Sequence, residues 1–299
     1  MKSADSKIAK SDPRLEETSK MLERLQEALE NPDTLEKIES DFTTTFEELG
    51  LESAQASRLY KEIEQTLRSG EDLDEIEGKI FDLLQNIEIE RGRKNLVESL
   101  NQALAERAET IFEQVSPYLK GIEGRVLDFG AGDGEVAELI KNEMGIAVEG
   151  ADIRDYRNNG VSVPIKIFDG EHLDVPDGTY QAAIVINVLH HEVDNEKIIK
   201  ELSRLVSGRL IIIETISEGE SEEEMQADLG RTFLNDYLYN RLFHNADIPV
   251  PGTYETPQKW IDRFAKYGWR LTFEKDLGFD QPIIRDRHYL LILDRIDNN

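Results

Sequence analysis

Apolar residues recur every three or four positions from Asp12 to Leu119, which is the spacing of amphipathic helices. The apolar stripes are Leu15, Leu22, Leu25 and Leu29; Leu35, Ile38 and Phe42; Leu59, Ile63 and Leu67; Leu73, Ile76, Ile80, Leu83, Leu84 and Ile87; and Leu96, Leu100, Leu104, Ile111 and Val115. Breaks are expected at Asn31-Pro32, Ser69-Gly70 and Arg91-Gly92, because Pro and Gly interrupt helices. The pattern predicts four or five helices.

These helices are expected to form an antiparallel bundle or a lid, because the heptads of a coiled coil are not sustained for long. The alternative that they present a surface to a second copy of the chain or to a protein partner stays open. Residues 1–11 are polar and charged, and they are predicted to be disordered.

After Ser116-Pro117 the pattern changes to short β-branched runs separated by helical stretches. The predicted strands are Arg125–Phe129, Ala147–Ile153, Ile165–Phe168, Ala182–Ile186, Leu210–Glu214, Trp269–Asp276 and His288–Leu293. Strands that alternate with helices form a parallel sheet, whereas the last two runs lack a helix between them and are expected to pair antiparallel. We therefore predict an α/β fold, a Rossmann-like and mostly parallel seven-stranded sheet over 108–299 with an antiparallel last strand. An all-α N-terminal extension over 12–107 precedes it.

Composition limits the partners and the compartment. The chain has 62 acidic and 35 basic residues, a net charge of −27, which would repel nucleic acid. It has no cysteine, so disulfides and thiolate metal sites are excluded, and a reducing compartment is expected. No apolar run reaches membrane-spanning length, and the first residues do not resemble a secretory signal. We expect a cytoplasmic protein.

A glycine-rich turn follows the first predicted strand. Residues Val126 to Gly134 spell V-L-D-F-G-A-G-D-G, and an amphipathic helix begins at Glu135. Glycine at positions 130, 132 and 134 allows a tight turn and lets a ligand lie against the backbone. This strand, turn and helix predict a nucleoside-binding crevice at the sheet edge.

Charge indicates which nucleoside the crevice binds. A dinucleotide site needs a small residue where this chain has Glu135, so that a pyrophosphate can approach the helix N-terminus. Asp128 and Asp133 flank the turn, where they would oppose a pyrophosphate but suit a ligand that carries a sulfonium and an ammonium group. These acids favour S-adenosylmethionine over a nicotinamide dinucleotide.

Two further acids follow the next strands. Asp152 lies 22 residues beyond Gly130, close to the spacing expected of an acid that binds ribose hydroxyls. Asp169 follows the third strand, at a place where a side chain can accept a hydrogen bond from an adenine amino group. Three acids thus follow three successive strands.

The segments VLDFGAGDG, GADI, FDGEHLDVPDGTY and AAIVINVLHH occur in this order. In sequence and spacing they resemble the class I S-adenosylmethionine-dependent methyltransferases, in particular the small-molecule type that includes ubiquinone and menaquinone methyltransferases. The resemblance implies that Asp128, Gly130 and Gly132 contact the methionine part, Asp152 the ribose, and Asp169 with Gly170 the adenine, while Asn187 lies under the methyl end. The predicted cofactor set is Asp128, Gly130, Gly132, Asp152, Ile153, Asp169, Gly170 and Asn187.

The acceptor side is expected at the carboxyl ends of the fourth and fifth strands, where His190, His191 and Glu214 lie. An imidazole can serve as a general base near neutral pH, so His190 and His191 are the catalytic candidates. The alternative is that this histidine pair only caps the helix after the strand. Adjacent residues of a helix point about 100° apart, so no metal site is predicted from the pair.

Residues 217–258 are predicted to be an insertion that covers a small, moderately apolar acceptor. Its acidic start and its stripe of Leu229, Phe233, Tyr237 and Phe243 indicate an amphipathic helix. The candidate wall residues are Tyr237, Tyr239, Arg241, His244 and Tyr254. Most aromatic residues in such a stripe belong to a core, which is the alternative for each of them.

The sequence therefore predicts a methyltransferase that acts on a small molecule, with the helical extension as a lid or dimerisation surface. Two alternatives stay open. One is a catalytically silent scaffold that binds the cofactor and recruits a protein through its acidic helices. The other is a nicotinamide oxidoreductase, which Glu135 and the acidic turn disfavour.

Overall fold

The structure is a computed structural model that describes residues 13–89, 94–243, 248–281 and 283–296. The N-terminal helices are α1 (Pro13–Glu30), α2 (Pro32–Glu48), α3 (Ser53–Leu67), α4 (Leu73–Gln85) and α5 (Leu96–Leu119). The helices that follow are α6 (Glu135–Met144), α7 (Asn195–Leu205), α8 (Glu222–Tyr237) and α9 (Pro257–Ala265). A π-helical turn (Leu238–Phe243) continues α8. The predicted breaks at Asn31-Pro32 and Ser69-Gly70 are confirmed, whereas Arg91-Gly92 and residues 1–11 lie outside the described residues.

The strands include one short pair that the sequence pattern did not predict. Strands β1 (Glu88–Ile89) and β2 (Lys94–Asn95) pair antiparallel between α4 and α5, so the N-terminal extension is not entirely helical. The remaining strands are β3 (Arg125–Phe129), β4 (Ala147–Asp152), β5 (Ile165–Ile167), β6 (Tyr180–Ile186), β7 (Val206–Ile216), β8 (Trp269–Gly278) and β9 (Arg287–Arg295).

Within the described residues, seven strands form one sheet in the order β5-β4-β3-β6-β7-β9-β8. Strand β9 runs antiparallel to both of its neighbours, and the other pairs are parallel. The predicted Rossmann-like sheet and its antiparallel last strand are confirmed. Since β3 and β4 are parallel neighbours on one side of the order reversal and β6 lies on the other, their carboxyl ends meet at the crevice where such sheets bind ligands.

Apolar side chains cover both faces of the sheet. Trp260, Phe264 and Trp269 belong to the cluster that packs on one face. Ile111 and Val115 of α5 belong to the cluster on the other face. The amino-terminal part of α5 instead packs among the N-terminal helices, so this single helix joins two cores and contains the predicted domain boundary at 107/108.

A third core is shared by the N-terminal helices and the segment after β7. It contains Phe42 and Ile63 together with Phe233, Tyr237 and Ile283. Burial of apolar surface on this scale is the main force that holds one helix layer on another. The extension and the insertion are therefore packed as one layer over the sheet edge.

Buried polar contacts also join α2 to α8. The hydroxyl of Thr34 donates to the carbonyl of Ala227 at 3.0 Å. A Cβ added to Gly230 would lie 2.7 Å from that hydroxyl, so the two helices approach too closely for a larger residue. Arg231 forms an ion pair with Asp41 at 2.5 Å, and both side chains are largely buried.

Local sequence explains where helices begin. The side chain of Asn31 accepts hydrogen bonds from the backbone N–H groups of Asp33 and Thr34, and Pro32 occupies the first turn of α2. Ser221 accepts from the N–H of Glu224 and begins α8, as the acidic start of the insertion predicts.

Within the described part of the chain, none of the helices has the length and apolar character required to cross a bilayer.

Candidate functional site

A chamber of about 790 Å³ opens at the carboxyl ends of β3, β4 and β6. Three parts of the chain line it. The glycine turn and the ends of β3 and β4 form one end, and the turn after β6 with part of the 217–258 segment forms the other. The N-terminal extension contributes Phe81, Gln85, Val97 and Arg107. One chamber therefore spans the predicted cofactor and acceptor regions.

Gly130 turns the backbone at the end of β3. Its φ of +78° is left-handed, and its N–H donates to the carbonyl of Ala151 at 2.8 Å. A Cβ at this position would lie 2.3 Å from Val188 Cγ2. Only glycine fits both the conformation and the space. The close packing of Val188 against the turn thus requires glycine at this position.

Asp128 is a buried carboxylate at the chamber wall, with 3% of its surface exposed. No hydrogen bond or ion pair to its side chain exists among the described residues. Burial, with the nearby Asp133 and Asp152, raises the pKa of Asp128 to about 8. A buried acid without a partner suits a ligand that brings a positive charge.

Asp152 ends β4 and supports the glycine turn. Its Oδ2 accepts from the N–H of Gly132 at 2.8 Å and its Oδ1 from the N–H of Ile153 at 2.7 Å. A carboxylate has about four lone-pair sites, more than the backbone bonds use, so it can also accept from a ligand hydroxyl. Ile153 lines the chamber and is 40% exposed, so it offers apolar surface to a ligand.

Asp169 and Gly170 lie outside the chamber lining. Asp169 is exposed, and its Oδ1 accepts from the backbone N–H groups of Glu171 and His172. These bonds lower the pKa of Asp169 and shape the loop after β5. Phe168 lines the chamber at this end instead. Contact of Asp169 with adenine stays a prediction.

Asn187 lies in the chamber wall just beyond β6. Its φ of +53° is left-handed, a conformation that asparagine adopts more readily than most residues. Its Oδ1 is buried without a hydrogen-bond partner among the described residues. Strained backbone and an unused acceptor are typical of a ligand-binding position.

His190 and His191 follow on a single 3-10 turn, Leu189–His191. Their ring centroids lie 4.2 Å apart, so the expectation that adjacent histidines point apart is wrong here. The Nδ1 of His190 lies 2.7 Å from Glu214 Oε2, and the Nδ1 of His191 lies 2.8 Å from the carbonyl oxygen of Pro249. Because neither acceptor carries a hydrogen, both Nδ1 atoms are the protonated donors. Burial opposes a charge on His190, but Glu214 and Asp236 outweigh it and raise its pKa to about 10.

Asp236 of α8 faces both rings. Its carboxylate oxygens lie 3.8 Å from His190 Nε2 and 3.8 Å from His191 Nε2. Tyr254 donates to its Oδ2 at 2.6 Å, and Asn240 donates to its Oδ1 at 2.6 Å. These two hydrogen bonds hold the carboxylate in place. The sequence did not single out Asp236, since it lies 45 residues beyond His191.

Two further charged residues of the chamber escaped sequence reasoning. Arg107 is the one arginine or lysine among the described lining residues, and its Nε has no hydrogen-bond partner there. Asp286 is 5% exposed, and its Oδ1 is also without a partner in the described part of the chain. Burial, only partly offset by Arg231, raises the pKa of Asp286 to about 7. Neither residue belongs to a recognisable motif.

Three predicted acceptor residues point elsewhere. Tyr237 donates to Glu77 Oε1 at 2.9 Å, and Arg241 donates to both oxygens of Glu77. They hold the π-helical turn against α4, so the structure corrects their predicted place in the acceptor wall. Glu214 is buried and accepts from His190 and from the N–H groups of Val188 and Leu189, so it positions the turn. Tyr239 lines the chamber as predicted, and His244 lies outside the described residues.

The fold and the crevice define a class of protein, the Rossmann-like α/β proteins that bind a nucleoside at the carboxyl edge of a parallel sheet. A family model described as "Methyltransferase domain" matches residues 93–272. The chain belongs to this methyltransferase family. The predicted class I methyltransferase family and fold are confirmed. S-adenosylmethionine, the methyl donor of this family, is therefore confirmed as the cofactor.

Individual relatives are more distant. The chain is 29% identical over 130 residues to the methyltransferase GfsG of Streptomyces halstedii. The aligned stretch covers 39% of this chain and 47% of that protein. It thus spans about half the length of that relative. The structure of a geranyl diphosphate C-methyltransferase from Streptomyces coelicolor A3(2), solved with Mg²⁺, geranyl diphosphate and S-adenosyl-L-homocysteine, covers 69% of this chain and 86% of its own. The TM-score is 0.50 at 13% identity, so the likeness concerns the fold.

Proposed function

We propose that this chain is an enzyme that transfers a methyl group to a small, moderately apolar acceptor bound in the chamber. The observation that carries the proposal is that one chamber joins the glycine turn to a second compartment lined by Asn187, His190 and His191. A methyltransferase needs these two compartments to be continuous, because donor and acceptor must be aligned in one line. S-adenosylmethionine supplies the methyl group when it is bound.

The residues at the first end fit that cofactor. Asp128 is an unpartnered buried acid for the positively charged methionyl part, and Gly132, where an added Cβ would meet nothing within 4 Å, leaves open space beside the turn. Asp152 accepts ribose hydroxyls on its remaining lone pairs, and Ile153 packs against the nucleoside. Arg107 binds the methionyl carboxylate, since it is the one guanidinium among the described lining residues and its Nε has no hydrogen-bond partner there.

The second compartment supports a small acceptor. Its wall combines apolar side chains, among them Phe81, Val97 and Tyr239, with a few buried polar groups. Such a mixture is typical of small-molecule sites. The helical extension over 12–107 acts as the roof of this compartment, because its core continues into the 217–258 segment. A roof of this kind favours a metabolite over a folded macromolecule.

His190 and His191 act at the acceptor end. Both rings line the chamber with Nε2 directed toward Asp236 and away from the Nδ1 partners. We assign to this pair the contact with the acceptor's nucleophilic group, the group that receives the methyl. Glu214 positions His190, and the Pro249 carbonyl positions His191.

The test combines binding and turnover. Calorimetry with S-adenosylmethionine, S-adenosyl-L-homocysteine and NADH should show binding of the first two and none of NADH. A panel of phenols, quinols, carboxylic acids and amines of metabolite size should then include an acceptor whose methylation depends on His191. Cofactor binding with no turnover over the whole panel would contradict the enzymatic role and favour the silent scaffold.

A further inference from the structure

We propose that His190, His191 and Asp236 form a binding site for a divalent first-row transition-metal cation such as Co²⁺, Mn²⁺, Fe²⁺ or Zn²⁺. Each of the three residues offers a ligand atom, and these atoms lie within 4.8 Å of one another. They come from two distant parts of the chain, the turn after β6 and the end of α8. The fold therefore brings these residues together, and no sequence motif predicts the cluster.

The separations suit one ion. Two ligand atoms bound to the same cation at about 2.1 Å stand roughly 3.0–3.5 Å apart. Here His190 Nε2 is 3.8 Å from Asp236 Oδ2, and His191 Nε2 is 3.8 Å from Asp236 Oδ1, distances too long for a hydrogen bond and within a few tenths of an ångström of that range. All three ligand atoms lie within 4.8 Å of one another, so side-chain rotations that draw them together would close them around an ion.

Both imidazoles are oriented as metal ligands are. Ligand histidines commonly donate their second N–H to a carboxylate or a backbone carbonyl, which fixes the tautomer and the ring direction. The Nδ1 of His190 donates to Glu214, and the Nδ1 of His191 donates to the carbonyl of Pro249. The Nε2 atoms of both rings therefore face Asp236.

The carboxylate of Asp236 is also oriented by hydrogen bonds. Tyr254 and Asn240 each donate one hydrogen bond to Asp236 and leave lone pairs on both oxygens. Asp286, buried in the same chamber and electrostatically coupled to Asp236 and His190, has an oxygen without a partner among the described residues. One carboxylate beside two imidazole nitrogens is a donor set that suits a dication.

Ligand chemistry narrows the choice of ion. Two imidazole nitrogens and one carboxylate suit Mn²⁺, Fe²⁺, Co²⁺ or Zn²⁺, whereas Mg²⁺ and Ca²⁺ prefer oxygen ligands throughout. Three protein ligands leave coordination positions open, and the cluster lines the acceptor end of the chamber. In so far as the proposed function holds, those positions take an oxygen-bearing group of the acceptor.

Cation binding to the full-length chain tests the proposal without an acceptor. Calorimetry and the visible spectrum of Co²⁺ are measured in excess Mg²⁺, which occupies the acidic surface. One Co²⁺ per chain is expected in the chamber, with affinity at least tenfold weaker in His191→Ala and Asp236→Asn. The control is His172→Ala, which removes a half-exposed histidine outside the chamber and should leave Co²⁺ affinity unchanged.

Equal Co²⁺ affinity in the wild type and in both variants, or no Co²⁺ binding at millimolar concentration, would overturn the site. Circular dichroism checks that each variant folds. If Asp236→Asn does not fold, the Co²⁺ affinity of His191→Gln alone decides the test. Cofactor binding is measured on the same samples. Retained Co²⁺ binding without S-adenosylmethionine binding would support the cation site while the proposed function fails, so the two failures are distinguishable.

Discussion

Asp152 and Gly132 are joined by a 2.8 Å hydrogen bond from the glycine N–H to the carboxylate, so one acid both holds the turn and faces the chamber. Replacing it by alanine removes both roles, whereas asparagine keeps an oxygen for the turn. We predict that Asp152→Ala weakens S-adenosylmethionine binding by about 1–3 kcal/mol, the scale of a charged hydrogen bond lost to the ribose.

Calorimetry on Asp152→Ala and Asp152→Asn measures this effect. Weakening in both variants is expected, since asparagine cannot accept from two hydroxyls as a carboxylate does. If only the alanine variant loses affinity, Asp152 serves the turn and the ribose has been misplaced.

Arg107 is predicted to recognise the methionyl carboxylate of the cofactor. Arg107→Ala should weaken S-adenosylmethionine binding by about 2 kcal/mol, which corresponds to roughly thirtyfold in Kd. Decarboxylated S-adenosylmethionine should bind the variant and the wild type equally. Arg125→Ala, at an exposed position outside the chamber lining, is the matched control. Equal weakening for both cofactors would argue against this pairing.

Asp128 should make cofactor binding depend on pH. Its pKa of about 8 means that the free protein carries a neutral acid at pH 7. A positively charged ligand favours the carboxylate, so binding should release a proton and tighten as the pH rises from 6 to 8. Calorimetry at pH 7 in buffers of different ionisation enthalpy counts the released proton.

The variant Asp128→Asn should bind the cofactor without proton release and without this pH dependence.

The same raised pKa has a consequence for stability. Because folding disfavours the charged form, Asp128 makes the cofactor-free protein less stable as the pH rises from about 4 to about 8. Denaturant unfolding at pH 5 and pH 8 should show Asp128→Asn gaining on the wild type at the higher pH.

Gly130→Ala is predicted to abolish measurable cofactor binding. The new Cβ would meet Val188 Cγ2 at 2.3 Å and would also force a left-handed φ of +78° on alanine. Gly145→Ala is the control, since it has a φ of +67° but open space around the added carbon. That control should lose only about 1–2 kcal/mol of folding free energy and keep its cofactor affinity. Similar affinity loss in both variants would contradict the close approach at Gly130.

Much of the fold follows from local pattern. The strand, glycine turn and helix from Arg125 to Met144 can be predicted because the turn chemistry and the apolar periodicities agree. The same holds for the antiparallel end of the sheet, where no helix-length stretch separates β8 from β9. The glycine turn and Asp152 were predictable for this reason.

The walls that the N-terminal extension and the 217–258 segment contribute to the chamber were not predictable, because long-range packing decides them. Arg107 lies in the middle of a long helix, and its sequence neighbours do not reveal that this face borders a chamber. The sequence pattern placed Tyr237 and Arg241 in the acceptor wall, yet both side chains donate hydrogen bonds to Glu77 of α4 instead. The convergence of Asp236 on the histidine pair depends on how α8 lies across the sheet edge, which the shared third core determines.

That shared core also limits how the acceptor preference of such an enzyme can change. Thr34, Asp41 and their partners in α8 tie α2 to a segment nearly two hundred positions later. Transplanting either segment alone into a relative would expose apolar surface and break buried ion pairs. Under the proposed function, acceptor preference depends on both segments together, and a chimera would have to exchange them as a unit.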